Sequence, residues 1–370
     1  MTINMLTEEL AKITPRKKLK GVEERYMVAR EQIAKAILCE SPPSEDVDIS
    51  FGYRQSRSLL GDYVTLDWQH RQDILRIVGQ IKSYAEDDTR RRPLNIIMRA
   101  EPGSGKSHMV NCLARKLEEN HAAAINFNMA SLQSIDDLSQ PLDAVRNLKV
   151  VDRLPLLFLD EFDSNPTNFA TLLPLMWDGE LQISHRNLML GKLVIILAGS
   201  GKNIEQAMKS AKAMQAAPEA QETKLVDLLS RINGGELEIP ALDAVTEDRN
   251  RRIDKVCLTI ALLQSRFADR LEKIPWALLR FVVMSKFRYG VQSIAHLVDL
   301  VPSLDKNART MHLAELNLPL LSVSTLRDSS LAYHVFSEDG PAAIIELWNE
   351  CCKSDSAVRI KERSEEEDYI

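Results

Sequence analysis

"RAEPGSGKSHMV", Arg99 to Val110, decides how this chain is read. It is either a phosphate cradle or a glycine-rich turn that happens to precede a lysine. The phosphate-loop pattern is G-x-x-x-x-G-K-[ST]. Gly105, Lys106 and Ser107 fit its end, and Ala100 stands where the first glycine is usual. A second "GSGK", Gly199 to Lys202, shows that the tetrapeptide alone cannot decide.

Context separates the two readings. "PLNIIMRA" before the loop is a short apolar run of the kind that forms a buried strand. "KSHMVNCLARKLEE" after it has helical periodicity and starts where the glycines stop. Strand, glycine loop and helix is the order a phosphate cradle requires. Gly103 and Gly105 let the backbone turn so that N–H groups converge, with Pro102, Ser104 and His108 around them. The helix N-terminus adds positive potential. Lys106 is the candidate for the β- and γ-phosphates of ATP, and the Ser107 hydroxyl for Mg²⁺.

A second motif strengthens the first. In "LLFLDEFD", Leu156 to Asp163, an apolar run leads into acids at a strand end. A parallel strand beside the loop's own strand would bring Asp160 to Mg²⁺ and Glu161 to the γ-phosphate, where it polarises water. The plain alternative is an acidic loop after a core strand. The second "GSGK" follows the strand "KLVIILA", but Asn203 succeeds its lysine and no second acidic strand follows. Ser200 there either touches the γ-phosphate from the side or is an ordinary turn residue.

Outward from these motifs, strands and helices alternate. "DWQHRQDILRIVGQIKSYAED" is helical, "AAAINFNMA" a strand, and "SIDDLSQPLDAVRNL" a capped helix with a proline interruption. "NFATLLPLMWDG" is a helix, the stretch from Asn203 to Ile232 mostly helical, and "ELEIPAL" a last short strand. The expected fold is α/β: a P-loop parallel sheet covered by helices on both faces, then a helical lid, with helical extensions at both ends. Boundaries fall at 1–65 for the N-terminal extension, 66–242 for the ATPase core, 243–302 for the lid and 303–370 for a C-terminal appendage with a charged tail.

The order of these parts resembles the AAA+ ATPase family over about Asp67 to Val301. The resemblance is carried by "AEPGSGKS", "LLFLDEFD", the polar strand end "AGSG", "DLLSRI" before "ELEIPAL", and the helical lid. It implies ATP hydrolysis with Mg²⁺ and a homo-oligomer, a ring or partial ring. It also implies that Arg231 of "DLLSRI" reaches a neighbouring subunit's nucleotide; the alternative is a solvated arginine at a helix end. In "RYGVQSIAHLV", Gln292 occupies the place of the family's sensor-2 arginine, and Arg288, one turn earlier, is the candidate substitute. The aromatic pore loop of peptide-threading members is missing from "NFNMASLQSIDD", which argues against processive threading.

Composition narrows the partners. A formal net charge of −6 argues against a generic nucleic-acid coat or a basic membrane-surface protein, without excluding a local basic patch. "PRKKLK", "TRRRP" and "EDRNRR" either touch phosphates or are solvated surface, and no aromatic residues interleave them. "GELQISHRNLMLGK" reads as a hairpin with His185 and Arg186 near its tip, either a partner contact or a surface connection. Cys39, Cys112, Cys257, Cys351 and Cys352 form no C-x-x-C pair and fit a reducing cytoplasm. No apolar run is long enough for a membrane span, and the first twenty residues lack a signal-type apolar run. The expected function is a cytoplasmic ATPase that couples Mg-ATP hydrolysis to assembly or remodelling of a protein or nucleic-acid partner. Two rivals stand beside it. One is an ATP-gated switch with slow turnover, such as a bacterial defence component; the other is a nucleic-acid-handling ATPase of loader type.

Overall fold

The three apolar runs around the glycine loop are strands, and their side chains sort by alternation. In the computed structural model, which describes residues 47–48, 59–118, 121–165, 168–183, 186–200, 224–242, 249–287, 289–312 and 346–352, Leu94–Arg99 is β2, Leu154–Asp160 is β4 and Val194–Gly199 is β7. Ile96, Met98, Phe158 and Ile196 pack on one face of the sheet. Ile97, Leu157, Leu159 and Leu197 pack on the other. Period-two alternation with both sets apolar is what a sheet covered on both sides requires. Each such side chain contributes about 1.5–3 kcal/mol relative to exposure.

The sheet has five strands, all parallel. Ala122–Asn128 (β3) and Glu236–Glu238 (β8) form its edges, and the order is β3-β4-β7-β2-β8. The expectation that the acidic strand lies directly beside the loop's strand is corrected: β7 pairs with both β2 and β4 and separates them. The parallel register still carries Arg99, Gly199 and Asp160 to the same end of the sheet.

Helices Trp68–Glu86 (α1) and Lys106–Lys116 (α2) supply buried residues to the first face. Ser139–Val150 (α3) and Phe169–Asp178 (α4) cover the second, where Leu225 and Leu228 of Lys224–Leu229 (α5) also pack. Asp67 caps α1 by accepting from the His70 N–H. The expected proline interruption does not occur. Pro141 is the third residue of α3, in the first turn where no N–H partner is needed, and a capped 3₁₀ turn, Ile135–Leu138, precedes it. "GELQISHRNLMLGK" does form an antiparallel pair, Glu180–Ile183 (β5) with Arg186–Met189 (β6); His185 lies outside the described residues.

After β8 the chain is mostly helical: Arg249–Arg266 (α6), Trp276–Met284 (α7) and Val291–Asp299 (α8), sharing one core. One feature here carries no sequence signal: Val47–Asp48 (β1) pairs antiparallel with Lys273–Ile274 (β9). The aromatic and apolar stretch beyond the lid, read as a small helical appendage that docks on the core or on a partner, has Trp348 on the helical stretch 346–352 packed edge-on against Phe281 at 5.4 Å. Leu59 and Leu60 lie in the sheet's core although sequence puts them in the N-terminal extension. The helices expected before residue 47, Gly201 to Asn203, the stretch to 223, Arg288 and the charged tail lie outside the described residues. Among the described residues no helix is long and apolar enough to cross a membrane.

Candidate functional site

The loop between β2 and α2 answers the question about Ala100. That residue is buried, its N–H donates to the Gly199 carbonyl at 3.1 Å, and it is not among the described residues with positive φ. The first position of the pattern therefore needs no glycine here. Gly103 and Gly105 do need their freedom, with φ of +76° and +88°. Gly105 is the N-cap of α2 and no side chain caps that helix. The first N–H groups of a helix have no intrahelical partners, so they face the loop's concavity. The Ser104 hydroxyl is buried there with no hydrogen-bond partner. Left-handed glycines, an uncapped helix start and an orphaned hydroxyl suit a phosphate-bearing ligand.

Lys106 reaches across the sheet end. Its side chain is largely buried, and its Nζ lies 3.4 Å from Asp160 Oδ1. Asp160 is the last residue of β4, and its Oδ1 also accepts from the Glu161 N–H at 3.0 Å. Glu161 is exposed in the left-handed region, φ 53° and ψ 37°. For a non-glycine residue this costs about 1–2 kcal/mol, so the turn holds Glu161 against its own preference. Ser107 and His108 are exposed on the first turn of α2. Among the described residues no group of three or more His, Cys, Asp or Glu forms a metal cluster. A Mg²⁺ ion that shares its shell with phosphates and water needs only one or two protein groups, and Ser107 and Asp160 are the residues that could hold it.

Ser200 and Asp163 form a pair that sequence does not signal. The Ser200 N–H donates to Asp163 Oδ2 at 3.0 Å, and the hydroxyl lies 3.4 Å from the same oxygen. A Cβ on Gly199 would meet that carboxylate at 2.6 Å. The last acid of "LLFLDEFD" thus ties the end of β7 to the turn after β4. His108 is also engaged: its Nε2 lies 3.2 Å from the Asp62 carbonyl and 3.6 Å from Cys112 Sγ. Contact with Cys112 raises the His108 pKa. Burial pushes the Cys112 thiol up, but His108 and Arg115 outweigh it and hold its pKa below the ordinary value.

The helical unit closes over the loop. A Cβ on Gly103 would lie 2.8 Å from the Tyr289 carbonyl and 3.5 Å from the Gln292 side-chain amide. Gln292 therefore stands at the loop, at the start of α8; Arg288, its candidate substitute, lies outside the described residues. Beside this contact a cleft, open to solvent, is lined by Thr65, Pro102, Ser104, Ile239, Phe287 and Val291 among others. Asp254 of α6 accepts from the Thr65 hydroxyl and the Leu66 N–H at 3.0 and 3.2 Å, which fixes the segment before α1 as one wall.

Arg231 is elsewhere. Its guanidinium donates to the Leu173 carbonyl and lies over the Trp177 ring, 5.6 Å from the centroid. The structure brings together Pro102 to His108, Asp160, Glu161, Ser200 and Gln292 around one sheet end, and it seats the Arg231 side chain on α4. No protein-family model matches the chain, and no curated protein matches it in sequence.

Proposed function

We propose that the chain is an AAA+-type ATPase that binds Mg-ATP in this cleft, hydrolyses it, and couples hydrolysis to assembly or remodelling of a partner macromolecule. One observation carries the reading: Lys106 meets Asp160 across the intervening β7, at the mouth of a loop with two left-handed glycines. A surface turn has no reason to bury a lysine and aim it at a carboxylate on a non-adjacent strand.

Lys106 and the N–H groups at the start of α2 would hold the β- and γ-phosphates, and the apolar wall of Ile239, Phe287 and Val291 would take the base. Mg²⁺, on Ser107 and Asp160, would neutralise phosphate charge. Glu161 would accept a proton from the attacking water as the bond to the leaving ADP breaks. The helical unit acts as a lid, with Gln292 at the loop reporting what the loop holds. Arg231 would serve a neighbouring subunit's site in a homo-oligomer, leaving Leu173 when the subunits meet.

The slow-turnover switch is favoured by Gln292. A neutral amide cannot stabilise developing negative charge as an arginine does. Glu161→Gln separates binding from chemistry. Fluorescent-nucleotide titration should give wild-type affinity, while phosphate release falls at least a hundredfold. Turnover in the variant equal to that of the wild type would remove Glu161 from the mechanism; a wild type that is itself slow, with a further fall in the variant, would favour the switch.

A further inference from the structure

The opposite end of the sheet carries a second, basic site. "TRRRP" leads into β2, and Arg90, Arg91 and Arg92 are all exposed. They line a hollow of about 830 Å³, open to solvent, together with Thr89 and Asn233. Other cations nearby are spent on backbone. Lys149 Nζ donates to the Leu190 carbonyl, Lys192 Nζ to the carbonyls of Ala85 and Asp87, and Arg231 to Leu173. Arg90 pairs with Asp87 at 3.2 Å, and Asp88 lies 3.9 Å from Lys192. Among the described residues neither Arg91 nor Arg92 makes an ion pair. Instead the Arg92 guanidinium lies over Trp177, 4.3 Å from the ring centroid. Trp177 comes from the end of α4 and is 45% exposed, in a chain whose other tryptophans with described side chains include the buried Trp276 and Trp348.

A guanidinium stacked on an indole has lost much of its freedom while its N–H edge stays available, which preorganises it for phosphate. The exposed part of the indole offers a surface on which a base can stack. Sequence alone shows no aromatic residue among these arginines; the fold supplies one from α4. We propose that Arg91, Arg92 and Trp177 form a binding surface for single-stranded nucleic acid, with the arginines on phosphates and Trp177 against a base. Phosphates alternating with flat apolar bases match this mixture of unpaired guanidinium and half-exposed indole. An acidic peptide would use the charges and leave the exposed part of the ring in water. The site stands apart from the ATP cleft and does not depend on nucleotide binding there, although Trp177 also lies under the Arg231 guanidinium.

The test is fluorescence anisotropy of labelled (dT)₂₀ and (U)₂₀ with the full chain, without nucleotide, over a salt series. The wild type should bind, with affinity falling steeply as salt rises. Arg91→Ala/Arg92→Ala should weaken binding at least tenfold and reduce the salt slope by about 1.4, two phosphate contacts at about 0.7 each. Trp177→Ala should weaken it about tenfold with the slope kept, and Trp177→Phe should restore most of the loss. Arg309→Ala, at an exposed arginine of the helical unit paired with Glu272, should bind like wild type. Four results would overturn the proposal: no binding at low salt; wild-type affinity and slope in the arginine variant; loss of binding in Arg309→Ala; or displacement by poly-glutamate as effective as by unlabelled oligonucleotide.

Discussion

The two ends of the five-stranded sheet present positive charge by different means. At the carboxyl end of the strands the charge is mostly backbone: left-handed Gly103 and Gly105, an uncapped helix start, and one lysine held by Asp160. At the amino end it is side chain: exposed arginines beside an indole that arrives from a distant helix. Backbone geometry is dictated by short sequence and leaves a motif. Side-chain convergence depends on tertiary packing and leaves none. The first kind would suit one ligand in one pose, and the second a chain that tracks across a surface.

The largest effect expected of a single change near the amino end concerns turnover. Arg231→Ala should lower ATP turnover about a thousandfold while nucleotide binding persists, the range of a trans-acting arginine. Mixing that variant with Lys106→Ala should restore part of the activity, since the Lys106→Ala subunit still offers Arg231 to its neighbour's intact loop. A mixture no more active than its components, with mixed oligomers verified by tagged co-purification, would assign the two ends of the sheet to separate tasks.

A smaller effect sharpens the carboxyl end. Gly103→Ala puts a Cβ at φ +76° and 2.8 Å from the Tyr289 carbonyl. It should cost about 1–3 kcal/mol by denaturant titration and loosen nucleotide binding. Ala100→Gly, at the degenerate position of the motif, should change stability by about 1 kcal/mol or less. Equal effects from the two would mean that the helical unit does not rest on the loop.

How far this division was legible follows the same line. "LNIIMR", "LPLLFLD" and "VIILAG" declare buried parallel strands because nothing but continuous apolar runs can sit between two helical layers. Lys106 and Asp160 were legible as members of one site, but not the β7 strand between them, since strand order depends on crossovers that no local pattern encodes. Asp163 gave no hint of its role, because an acid three residues beyond Asp160 looks like solvated loop until Ser200 is placed against it. The pairing of β1 with β9 was illegible because it joins segments more than two hundred residues apart; the apolar stretch around Trp348 was legible as an appendage that docks on the core or on a partner, but not Phe281 as its contact. Pro141 was read as a break because periodicity does not reveal where a first turn begins.

The smallest effect tests the lid. Gln292→Ala should weaken ATP affinity about fivefold, the worth of roughly one hydrogen bond. Titration with ATP and ADP in parallel shows whether the loss is confined to the triphosphate. An unchanged affinity for both would leave Gln292 as a spacer against Gly103.

The central claim is that the loop at Arg99 to Val110 is a working nucleotide cradle, and thermal unfolding with and without Mg-ATP tests it most directly. At a hundredfold excess over the dissociation constant, ATP should stabilise the wild type by about 2.7 kcal/mol, seen as a rise in melting temperature of several degrees. Lys106→Ala should melt near the wild-type temperature without ATP and show no rise with it. A rise in Lys106→Ala equal to that of the wild type, or none in the wild type at millimolar Mg-ATP, would contradict the account.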